Sequence, residues 1–213
     1  MSRRLLGFLL IVSVALLVAR VKEFTPPRAF HAKTYPAHEA HEDEGFAIAA
    51  DPYDLPDKAA PVLSIDFQKD NLLPINIIFS NDNEEPVTLS QMNVKLITKR
   101  RMRLDPLDAR DIYRRITHQN YRPGPQVETP IPLPKSKPKG VSAQAQNEVE
   151  NMLFIAKAVE PKATKAGFFV FDVQGMENPL AGASLEITGI KKNGQDMFYF
   201  SIPMEKYLGY KPQ

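Results

Sequence analysis

A chain of 213 residues, 43% hydrophobic and 24% charged, is long enough for one folded domain plus an arm or insertion. It has no cysteine, which excludes disulfides, thiolate zinc sites, nucleophilic thiols and lipid attachment through a lipobox cysteine. The net charge of +2 comes from Arg3, Arg4, Arg20 and Lys22; from residue 23 onward 23 basic residues face 25 acidic ones, so charge does not support a nucleic-acid partner.

Residues 1–22, MSRRLLGFLLIVSVALLVARVK, show the export pattern of a basic start followed by an apolar run over 5–19. A helix rising about 1.5 Å per residue makes that run slightly short of a hydrocarbon core of about 30 Å. Small residues suited to signal-peptidase cleavage occur only inside the run, at Ser13 and Ala15. An uncleaved anchor is preferred over a cleaved signal. Either places the remainder outside the cytoplasm, on the periplasmic or extracellular face, with the anchor in the inner membrane.

Residues 23–60 have the composition of an extended polar leader interrupted by Pro26, Pro27, Pro36, Pro52 and Pro56. Strand character is expected in PVLSIDFQ, where Leu63, Ile65 and Phe67 alternate. It continues in LLPINIIFS, with Ile75, Ile77 and Phe79 on one face, and in VTLSQMNVKLIT, with Met92, Val94 and Leu96. DPLDARDIYRRI has an acidic first turn and ends on Arg114 and Arg115, the polarity a helix dipole favours. Six prolines between Pro123 and Pro138 forbid helix or central strand in the segment that follows. SAQAQNEVENMLFIAKA offers a serine N-cap and a second helix. AGFFVFDV, SLEITGI and MFYFSIPM return to strand, and Asn193-Gly194 between the last two is a strong hairpin signal, since both turn residues must tolerate positive φ.

LLPINIIFSNDNEEPVTLSQMNVKLIT and VEPKATKAGFFVFDV resemble the extracytoplasmic immunoglobulin-like β-sandwich modules of bacteria. The wider pattern, including HEAHEDE, ADPYD and DIYRR, resembles an uncharacterised family of exported bacterial proteins. The resemblance implies a mainly β fold: an immunoglobulin-like antiparallel β-sandwich of about seven strands over 61–213. Into it, at about 99–157, are inserted a helix, a proline-rich loop and a second helix. Modules of this kind bind or space other molecules and are not usually enzymes.

Four features carry candidate chemistry. His38, His41 and Glu44 could ligate a divalent metal, although i and i+3 ligands need a helical turn that the stretch does not announce; the bland reading is a polar leader without specific binding. ADPYD suits docking through Tyr53, against the alternative of Asp51 and Asp54 as an acid–base or calcium-binding pair. Residues 99–115 hold seven basic and three acidic side chains, among them Arg100, Arg101, Arg103, Arg114 and Arg115. They either pair with the seven acids of 38–57 or meet an anionic partner such as lipid headgroups or cell-wall polymer. Pro130, Pro132 and Pro134 form a stiff rod that is either a docking ligand or a spacer. No serine lies in a nucleophile elbow and no phosphate loop is present. The expectation is a non-enzymatic, membrane-anchored binding or scaffolding module without a cofactor, whose partner is an unknown protein or envelope component. The alternative is a metal-binding protein built on His38 and His41.

Overall fold

A computed structural model describes residues 23–118 and 140–209. Within them, three antiparallel four-stranded sheets and four α-helices make a mainly β molecule. The first sheet has the order β1 (His38–His41), β2 (Phe46–Pro52), β3 (Leu72–Asn81), β8 (Thr164–Asp172). The second joins β11 (Gln195–Asp196), β10 (Lys191–Lys192), β4 (Val87–Thr88) and β7 (Ala158–Val159). The third joins β12 (Phe200–Pro203), β9 (Ser184–Thr188), β5 (Asn93–Ile97) and β6 (Arg103–Leu104). The helices are α1 (Pro56–Ala59), α2 (Ala109–Thr117), α3 (Ala143–Met152) and α4 (Glu205–Leu208). No helix among the described residues is long and apolar enough to cross a membrane. The apolar run at 5–19 and the prolines at 123–138 lie outside the described residues.

All ten residues of β3 are buried, because both faces of the first sheet are covered. On one face Leu73, Ile75, Ile77 and Phe79 join Phe46 and Ile48 of β2 in the main core. That core is completed by Val94 and Leu96 of β5, Leu185 and Ile187 of β9, and Phe200 and Ile202 of β12. On the other face Leu72, Phe168 and Val170 meet Ile112 and Tyr113 of α2 and Val149 and Met152 of α3. Further along that face Ala47, Ala49 and Ile78 lie against Ala32, whose N–H donates to Ser80 Oγ at 2.9 Å; small side chains allow this close approach.

Local chemistry sets the helix limits. Asp108 caps α2 by accepting from the Asp111 N–H, and Ser142 caps α3 by accepting from the Ala145 N–H, each satisfying a donor the first turn leaves open. The outer edge of β8 is blocked by connecting chain: the Phe154 N–H donates to the Phe168 carbonyl at 3.1 Å and the Leu107 N–H to the Val170 carbonyl at 2.8 Å. An open strand edge there would be a template for association.

Several sequence expectations change. Residues 38–52, read as part of a solvated leader, are β1 and β2, and β2 is a buried interior strand; its alanines and flanking acids hide a run that alternates between two cores. PVLSIDFQ is not a strand. Leu63 and Phe67 are buried, but the Ser64 and Ile65 N–H groups donate to the Glu148 carboxylate of α3 instead of to a neighbouring strand. VTLSQMNVKLIT divides into β4 and β5 of different sheets around a turn in which the Met92 N–H bonds the Leu89 carbonyl. The helices expected within 99–157 form at the anticipated places and supply one face of the second core.

Candidate functional site

HEAHEDE lies on β1 and the turn after it. Side chains alternate along a strand, so His38 and His41, three apart, point to opposite faces. His38 Nδ1 is 2.5 Å from the Tyr35 carbonyl. The His41 ring stacks on Phe200 of β12 with centroids 3.9 Å apart, Nδ1 lies 2.7 Å from Glu44 Oε2, and Nε2 lies 3.3 Å from Glu39 Oε1. The remaining oxygens of the two glutamates accept from backbone: Glu44 from the Phe198 N–H at 3.1 Å, and Glu39 from the Ser201 N–H. The cluster ties the edge of the first sheet to the edge of the third. His41 and Glu44 are brought together and His38 is not. Among the described residues no group of three or more His, Asp or Glu side chains is arranged to hold a metal ion.

ADPYD closes on α1 and α4. Lys58 Nζ donates to Asp51 Oδ1 at 2.5 Å and sits over the rings of Tyr53 and Tyr207, 5.0 and 4.6 Å from their centroids. The Tyr207 hydroxyl donates to Asp54 Oδ1 at 2.7 Å. Burial raises the Asp51 carboxyl above its ordinary value, with the Lys58 charge opposing. Burial, and then the neighbouring aspartates, raise the Tyr53 and Tyr207 phenols as well. Asp51 is paired with Lys58 and Asp54 with Tyr207, so the contacts form a lock holding α4 to the end of β2. Lys58 and Tyr207 escaped the sequence reading: Tyr207 is 153 positions from Asp54, and no spacing announces the contact.

The basic run divides into two environments. Arg115 is 1% exposed, and its guanidinium donates from Nε to the Asp70 carbonyl at 3.0 Å, from Nη1 to Gln174 Oε1 at 3.2 Å and from Nη2 to Asp172 Oδ1 at 3.2 Å. It fastens α2 to the end of β8 and belongs to the interior, which corrects its place on a binding surface. Arg114 is exposed and lies 3.6 Å from Asp111.

Arg100, Arg101 and Arg103 lie on the hairpin between β5 and β6. Its neck is Thr98, buried, whose N–H donates to the Met102 carbonyl at 2.9 Å, whose carbonyl accepts from the Arg101 N–H at 2.8 Å, and whose hydroxyl accepts from the Met102 N–H at 3.1 Å. This is a three-residue loop ending on a left-handed residue, a position glycine usually takes. Here it is Arg101, at φ 60°. A side chain in that region costs about 1–2 kcal/mol. Lys99, Arg100, Arg101, Met102 and Arg103 are all exposed, and among the described residues none of the four cations is in an ion pair. Five of the seven acids of 38–57 bind elsewhere: Glu39 and Glu44 to His41, Glu42 to Lys33, Asp51 to Lys58 and Asp54 to Tyr207. The expected pairing of the acidic leader with the basic residues of 99–115 is therefore not made by Lys99, Arg100, Arg101 or Arg103. Pro130, Pro132 and Pro134 lie outside the described residues.

Two shallow depressions of about 260 and 250 Å³ are lined elsewhere, one by Tyr53, Leu63 and Phe67, the other by Glu44, Lys192 and Asp196. Neither includes the hairpin.

No family model and no curated protein matches this chain. Among solved structures, a conserved hypothetical protein from Bacillus anthracis aligns over 74% of this chain and 87% of its own, at 10% identity and a TM-score of 0.30. A likeness that weak carries no argument about fold or function.

Proposed function

We propose that this chain is a non-enzymatic binding module, exported and held at the membrane by its N-terminal segment, that engages an anionic component of the cell envelope through the β5–β6 hairpin. The shared core between the first and third sheets supports reading the domain as an immunoglobulin-like β-sandwich. The observation that carries the function is the set of four exposed cations within residues 99–103, none in an ion pair among the described residues. They sit on a turn whose register Thr98 holds, and one of them occupies a backbone position where its side chain is a cost.

Retention of the full chain, in detergent, on an immobilised polyphosphate resin tests this. A triple variant, Arg100→Gln, Arg101→Gly, Arg103→Gln, should elute at clearly lower salt, while its thermal midpoint stays equal or rises because glycine relieves the left-handed position. Equal retention of wild type and variant would show that the hairpin is not the contact surface.

A further inference from the structure

We infer that the partner of this hairpin is the headgroup layer of an anionic bilayer, with Met102 entering the acyl boundary while Lys99, Arg100, Arg101 and Arg103 bind lipid phosphates. The inference rests on reading the hairpin as an anion-binding surface and names what that surface meets.

Three observations favour a lipid surface. The cations lie within five successive exposed residues on and beside the three-residue loop and line neither depression, so they are arranged to meet a surface rather than to enclose a small anion. Met102 stands among them with 43% of its surface exposed, an unbranched apolar chain that no soluble polyanion would desolvate. At a bilayer the same residue gains by leaving water, while its cationic neighbours extend their apolar stems beside it and keep their charged ends at the phosphates. The apolar run over 5–19, read as an anchor, also ties the chain to a bilayer.

The absence of cysteine supplies the experiment. Met102→Cys gives the full chain a single thiol for an environment-sensitive fluorophore, and Ile155→Cys, at a position 83% exposed, gives a control. Each labelled chain is reconstituted in phosphatidylcholine vesicles and in vesicles containing phosphatidylglycerol. The probe at 102 should shift to the blue and become quenchable by brominated lipid only in the anionic vesicles, and the probe at 155 should remain aqueous in both. Adding the triple arginine variant should weaken the response roughly a hundredfold, at about fivefold per cation, and raised salt should abolish it.

A water-exposed probe at 102 in both vesicles overturns the lipid assignment. If that probe nevertheless responds to added soluble polyphosphate, the hairpin remains an anion site and the partner is a polymer. If it responds to neither, the reading of the hairpin falls too. A response at 155 equal to that at 102 would mean non-specific adsorption and would also overturn the inference.

Discussion

Glu148 shows how one side chain can replace a strand. Its buried carboxylate accepts from the Ser64 N–H at 2.8 Å and the Ile65 N–H at 3.1 Å, and from the Ser64 hydroxyl. Apolar alternation in 61–68 therefore buries Leu63 and Phe67 without sheet pairing. Glu148→Ala leaves two backbone donors without that acceptor, and urea unfolding should show a loss of about 3 kcal/mol. A loss under about 1 kcal/mol would mean that water substitutes for the carboxylate. Asp51 yields a pH prediction. Its folded-state affinity for a proton is raised above the ordinary value of 3.8, so the native chain binds the proton more tightly than the unfolded one in the interval between those values. Wild-type stability consequently falls as pH rises through the interval and is level above it. Asp51→Asn lacks this loss. Its stability relative to wild type should climb across the same interval in thermal melts, and a relative decline would mean that the Lys58 charge outweighs burial.

At the scale of elements, signals contained within a few residues are the ones that could be read. Asn193 and Gly194 take φ of 52° and 79° between β10 and β11, the two positive values that an Asn-Gly hairpin implies. Ser142 caps α3 where a serine cap was expected, whereas α2, read from its charge polarity alone, begins at Ala109 behind Asp108 as its cap. β2 was missed because a strand buried on both faces has no polar alternation, and Ala47, Ala49 and Ala50 carry little β preference of their own. Contacts between distant segments gave no signal. Gly167 of β8 passes so close to the segment at 153–154 that an added Cβ would lie 2.9 Å from Phe154 Cα. Gly167→Ala should push that segment from the β8 edge, speeding amide exchange at Phe154 and costing about 1–3 kcal/mol. Unchanged exchange would show that the edge accommodates the methyl group by relaxation.

For the whole molecule, the decisive feature is that the first sheet lies between two cores. Ile112 is fully buried between α2 and the sheet, and Arg115 ties the same helix to the end of β8. The helices should therefore unfold with the sheets. Ile112→Ala should cost about 2–5 kcal/mol, with the far-ultraviolet helix signal and the near-ultraviolet tyrosine signal still moving through one shared transition. Two separated transitions would make the helical layer an independent unit.

The amino-acid order by itself determined the mainly β character, the two helices with the serine cap of the second, the Asn-Gly turn and the cluster of cations at 99–103, because each depends on period, composition or neighbours along the chain. Only the tertiary structure decided that His38 and His41 face apart, that Arg115 is interior while Arg100, Arg101 and Arg103 are exposed, and that Lys58 lies between Tyr53 and Tyr207. The reason is physical: a charged side chain becomes a buried clamp or a free contact according to what folds over it, and for Arg115 that is Asp70, Asp172 and Gln174, from 45 to 59 positions away.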